Sequence, residues 1–98
     1  MTGFGFSRSI HRIAVGNSLV FAKAMRQEAI QRLRQGNCGL ALIYLIRASS
    51  SADAAWANAI GTGEIAARRR AQAERSKTDS LRRAFSKHCI VARRGRIS

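Results

Sequence analysis

The chain is 98 residues long, which suits one domain and excludes two. It has no proline, few aromatic residues, and 18 Lys and Arg against 5 Asp and Glu, a formal net charge of +13. That composition excludes a large apolar core, favours helix over sheet, and makes a free-standing, merely solvated monomer the less economical reading.

Residues 1–16 read as a flexible basic arm. Gly3 and Gly5 weaken any regular element there and leave Phe4 and Phe6 free to dock on a protein partner. Glu28 is the first acid, while Arg8, Arg12, Lys23, Arg26 and several serines precede it. Mitochondrial transit peptides share that composition, so the mitochondrial matrix stands as an alternative to a plain basic arm. A first helix is expected from Asn17 or Ser18, either of which can cap a free backbone N–H, to Gln35. Its inward stripe is Val20, Phe21, Ala24, Met25, Glu28, Ala29 and Leu33, stepping by threes and fours. Gly36 then ends it as a left-handed C-cap, with Asn37 in the turn.

The second helix starts near Cys38 or Gly39. Leu40 to Ile46 are apolar all round, which predicts cover on more than one side, and the run is too short to cross a membrane. Ala48, Ala52, Ala55, Trp56, Ala59 and Ile60 continue the spacing, and Ser49-Ser50-Ser51 are read as part of one continuous helix. Gly61-Thr62-Gly63 precedes a further helix. It lacks the lysine spacing of a phosphate loop and no strand leads into it, so it reads as a turn.

The third helix is expected to have Thr62 as its N-cap and Glu64 in its first turn, and to run to about Ala92. After Ile65 its first half offers only alanines as apolar residues. Local pairs, Glu64 with Arg68, Glu74 with Lys77 and Asp79 with Arg83, are expected to support it by roughly 0.2–0.5 kcal/mol each. Leu81, Ala84, Phe85, His88 and Cys89 form an apolar face predicted to dock back on the first two helices. Residues 93–98 read as a frayed basic tail.

Residues 29–48 carry Ala29, Gly36-Asn37, Ala41, Leu45 and Ala48 at the spacing of a small residue, a glycine turn, and small and apolar residues four and three apart. This resembles the turn and second helix of a tetratricopeptide repeat. The resemblance covers one hairpin of about 20 residues. No second copy follows, since Arg70 stands 34 residues after Gly36. Cys38 takes the place of the usual aromatic, and no proline closes the unit. It implies two closely packed antiparallel helices and, more weakly, a peptide-binding role.

Catalysis finds little support, because the five acids are scattered and no two form an evident acid/base pair. No enzyme activity, cofactor or small-molecule substrate is expected. His88 and Cys89 are adjacent and point apart on a helix, with His11 and Cys38 remote, so no metal site is expected. Two cysteines are too few for a disulfide framework, which suggests a reducing intracellular compartment or association with a particle. Tyr44 and Trp56 read as core anchors rather than a base-stacking platform.

The basic residues are segregated. Arg68, Arg69, Arg70, Arg75, Lys77, Arg82, Arg83, Lys87, Arg93, Arg94 and Arg96 face only Glu74 and Asp79, and arginine outnumbers lysine 15 to 3 in the whole chain. Guanidinium groups fit phosphate in a bidentate manner. The expectation is an all-α fold, an antiparallel helical hairpin over 17–61 plus an arginine-rich helix over 62–92. Its expected function is that of a non-enzymatic structural component of a nucleoprotein assembly, a virus or phage particle or a ribosome-like one. The third helix would meet nucleic acid or another polyanion, while Phe4, Phe6, Ala41, Leu45 and Trp56 grip protein subunits. The alternative is a hairpin adaptor that binds an acidic protein partner.

Overall fold

The computed structural model describes the backbone of residues 2–97 and the side chains of residues 7–89. Among these the chain is all-α, with three helices: α1 (Thr2–Arg34), α2 (Cys38–Thr62) and α3 (Ile65–Ile97). They pack as a slender rod of 66 × 17 × 14 Å.

Both turns are built from local chemistry. Gly36 takes φ +79°, which lets its N–H donate to the Leu33 carbonyl at 2.9 Å and that of Asn37 to the Arg32 carbonyl at 2.9 Å. This closes α1 with the left-handed cap expected for it. Asn37 then caps α2 by accepting from the Leu40 N–H at 3.1 Å. At the second turn Gly63 has φ +72° and donates to Ile60. Thr62 is the last residue of α2 rather than the N-cap expected for α3. Its buried hydroxyl donates to the Ala59 carbonyl at 2.7 Å and accepts from the Glu64 N–H at 3.0 Å. Glu64 accordingly precedes α3, with its carbonyl taking the Arg68 N–H, instead of lying in the first turn.

The interior is lined with small residues. On α2, Ala41, Leu45, Ala48, Ala52, Ala55, Ala59 and Thr62 are buried, in alternating steps of four and three. That mean step of about 3.5 residues keeps one seam facing its neighbours when helices wind left-handedly round each other. Ser49-Ser50-Ser51 lie within the continuous α2, as expected. Alanine at these places lets the backbones come close: the Ser51 hydroxyl reaches across to the Ser18 carbonyl of α1 at 2.8 Å.

The inner face of α1 differs from expectation. Val15, Ala22 and Ala29, seven apart, are its buried residues among the described side chains, while Val20, Phe21 and Ala24 point outward. The expected start at Asn17 or Ser18 is also corrected, since α1 passes through Gly16-Asn17 without interruption. What holds this earlier part is α2 together with the start of α3: Val15 packs with Ala55, Ala59, Ala67 and Ala71, and Leu19 and Trp56 lean on that cluster. His11 lies against Gly61, where a Cβ would sit 2.6 Å from the imidazole ring, and its Nδ1 is 2.9 Å from the Asn58 Oδ1.

The first half of α3 also packs, although only alanines were available to it. Ala67, Ala71, Glu74 and Thr78 are buried in steps of four and three, and Leu81 and Phe85 carry the stripe on. Phe85 closes a second cluster with Ala29, Ala41 and Leu45. Docking of this end on the hairpin is as expected, except that Ala84 and His88 are exposed. The helix continues past Ala92 to Ile97. Cys38 and Cys89, 51 residues apart and not expected to pair, form a disulfide with Cα atoms 5.8 Å apart, joining the start of α2 to the far part of α3. Because His11 and Cys89 mark where α2 ends on either side, residues 2–10 overhang one end of the rod and 90–97 the other.

Candidate polyanion-binding face

Charge is distributed by the packing. Four of the five acids are consumed in ion pairs: Glu28 with Arg32 (2.8 Å), Asp53 with Arg75 (3.0 Å), Glu64 with Arg12, and Glu74 with Arg26 (3.0 Å). Only Glu28–Arg32 lies within one helix. The expected pairs of Glu64 with Arg68 and Glu74 with Lys77 do not form, because both glutamates turn toward arginines of α1. Nor does Asp79 pair with Arg83 among the described residues; no cation lies within 4 Å of it.

The Glu74–Arg26 pair is the most enclosed, with side chains 10% and 17% exposed. Its geometry is two-pronged, Arg26 Nε donating to Oε1 at 3.0 Å and Nη2 to Oε2 at 3.3 Å. Two donors in a fork satisfy both carboxylate oxygens, which is what makes a shielded charge tolerable.

What remains is the cationic surface. Arg68, Arg69, Arg70, Lys77, Arg82, Arg83 and Lys87 are all exposed, and none of them makes an ion pair among the described residues. With the inner stripe of α3 taken by Ala67, Ala71, Glu74, Thr78, Leu81 and Phe85, a turn of about 100° per residue puts these cations on both flanks and on the outer face. Arg82, Arg83, Ser86 and Lys87 line an open depression on this surface. Arg75 is the exception in the expected set. It bonds Asp53 and lies over the Trp56 ring, 5.2 Å from its centroid, so it belongs to the α2–α3 packing. The side chains of Arg93, Arg94 and Arg96 lie outside the described residues.

Of the residues expected to grip a protein neighbour, Ala41 and Leu45 are fully buried inside the molecule and present nothing to a partner. Leu45 and Phe85 fill the same cluster, so the docking of α3 uses them up. Trp56 is half-buried, one face taken by Arg75. Tyr44 sits between Arg32 and Arg47, at 5.8 and 5.7 Å. Phe4 and Phe6 lie outside the residues whose side chains are described. The large apolar residues that do face outward among the described residues are others: Ile10, Ile13, Val20 and Phe21 on α1, Leu40, Ile43, Ile46 and Ile60 on α2, and Ile65 on α3. Sequence reasoning missed the α1 set because the steps of three and four through Val20, Phe21 and Ala24 define a different face from the buried one. The seven-residue recurrence of Val15, Ala22 and Ala29 was the signal that would have assigned the larger residues to the outside.

No helix among the described residues is long and apolar enough to cross a membrane. No group of three or more His, Cys, Asp or Glu among them could hold a metal ion. No family model matches the chain, and no curated protein or solved structure matches it either.

Proposed function

We propose that the protein is a non-catalytic, structural component of a nucleoprotein assembly, and that α3 is the element that meets phosphate. One observation carries this reading: the acids are spent on other arginines, which leaves Arg68, Arg69, Arg70, Lys77, Arg82, Arg83 and Lys87 exposed on a single helix with no acid paired to them. Such an array attracts a chain of phosphates without reading sequence. The Cys38–Cys89 bond favours the particle-associated placement over a reducing compartment, where protein disulfides seldom persist.

A salt titration of full-length protein on random-sequence RNA and duplex DNA tests the reading. If about six of these side chains meet phosphates, affinity falls on the order of a thousandfold between 50 and 200 mM salt. Absence of binding to both at 50 mM removes the proposal in favour of an acidic protein partner.

A further inference from the structure

The interior is mostly alanine, joined by Val15, Leu45 and Phe85, while many large apolar side chains lie outside, and the outer face of α1 is where these are most ordered. Ile10, Ile13, Asn17, Val20 and Ala24 follow one another in steps of three, four, three and four, with Phe21 alongside. Ile13 is 63% and Val20 72% exposed, and Ile10 and Phe21 about half. This seam lies opposite the Val15, Ala22 and Ala29 face that packs on α2. An apolar seam of that period is built to meet another helix, and one polar asparagine within it is a device that fixes how two such helices align.

We infer that the partner of this seam is the same seam of a second copy, and that the contact forms when copies lie side by side on a polyanion. Ile10, Ile13, Asn17, Phe21 and Ala24 are spaced symmetrically about Asn17, four and seven residues to either side. Two antiparallel copies would set Asn17 beside Asn17, Ile13 beside Val20 and Phe21, and Ile10 beside Ala24, a self-complementary arrangement of the kind that two-fold contacts require.

Area and charge explain why the contact depends on the polyanion. The four large side chains present on the order of 400 Å² per copy, about half of the ~800 Å² that each partner contributes to a standard stable interface. Between residues 8 and 24, Arg8 and Lys23 make no ion pair among the described residues, Arg12 being held by Glu64, and each copy carries +13 overall. Free copies therefore repel one another and have too little apolar contact to overcome it. Phosphates along α3 neutralise the repulsion and raise the local concentration of seams, which converts a weak contact into a cooperative one. This inference rests on the polyanion reading of α3, and the experiment separates the two.

The test compares binding of full-length protein to random-sequence duplexes at 100 mM salt. One is about 15 base pairs, the span of α3 at about 1.5 Å per residue, and the other is about 100 base pairs, room for several copies. The expected result is a non-cooperative isotherm on the short duplex and a sigmoidal one on the long, with about tenfold tighter binding per site. The double variant Ile13→Ser/Val20→Ser, and separately Asn17→Lys, should keep the short-duplex affinity within about twofold and lose the long-duplex gain. Both change only exposed positions, and circular dichroism verifies that each variant is folded. A non-cooperative wild-type isotherm on the long duplex, or cooperativity that both variants retain, overturns the self-association. Variants that keep cooperativity yet lose flotation with anionic phosphatidylserine vesicles assign the seam to a lipid surface and overturn it equally. Failure to bind even the short duplex removes the polyanion reading itself.

Discussion

Two contacts between individual residues carry more of this structure than their size suggests. Arg26 and Glu74 are largely shielded from water and bond in a fork. Removing one partner strands a buried charge, so Glu74→Ala or Arg26→Ala is expected to lower unfolding stability by about 3–5 kcal/mol in urea titration. Replacing both with apolar residues of similar volume, Arg26→Met with Glu74→Leu, should restore most of that loss, since no charge is then left unpaired. The second contact is His11 on Gly61. Gly61→Ala puts a methyl group 2.6 Å from the ring and should destabilise by about 1 kcal/mol or more. With His11→Ala in place the clash is gone, and the same substitution should stabilise by up to about 1 kcal/mol through helix propensity. Thermal melts of the four proteins read the change of sign. Neither contact was legible in the sequence. Glu74 has Lys77 and Arg75 as nearer neighbours along the chain, and only the docking of α3 on α1 sets Arg26 before it.

Helices were more legible than their packing. The two turns could be read at Gly36-Asn37 and Gly61-Thr62-Gly63 because glycine and capping side chains act locally. The residues that carry the likeness to a helical-repeat turn, Ala29, Ala41, Leu45 and Ala48, are all buried. The beginning of α1 could not be read, because Gly3, Gly5 and Gly16 lower helix propensity, and the contacts that hold the helix through Gly16, His11 on Gly61 and Val15 on Ala55 and Ala59, are with residues more than 35 positions away in the chain. In α3 the exposed cations were visible as a charge run, but Ala67 and Ala71 were too small to be recognised as core. Each exposed arginine that contacts a phosphate releases counterions. Arg68→Gln/Arg69→Gln/Arg70→Gln is therefore expected to lower the slope of log affinity against log salt by about 2.7, at about 0.9 per contact. Arg75→Gln, which instead breaks the bond to Asp53, should leave that slope unchanged and lower the melting temperature. The disulfide closes a separation of 51 residues between α2 and α3. By the chain-entropy estimate its loss in Cys38→Ser/Cys89→Ser costs about 4 kcal/mol, measurable by denaturant titration.

At the scale of the whole molecule, an alanine interior yields a long object rather than a round one. The radius of gyration is 16.5 Å, where a compact chain of this length would have about 13 Å. Small-angle scattering of the free monomer should return the larger value, and a value near the smaller one would contradict the rod. A thin rod gives its charge a long surface along which to follow a polymer, and it leaves many of the large apolar side chains at the surface. There is a further consequence of the alanine seam on α2. Apart from Leu45, its buried places from Ala41 to Thr62 are all small and recur every seven residues, so sliding a neighbouring helix by one such repeat, about 10 Å, would bury much of the same surface. Packing alone thus leaves the register almost degenerate. What singles out one alignment is the set of unlike contacts spread along the rod: His11 on Gly61, Ser51 on the Ser18 carbonyl, Arg26 on Glu74, and the bond between Cys38 and Cys89. In this protein the smooth seam supplies cohesion, and four detents along it choose the notch.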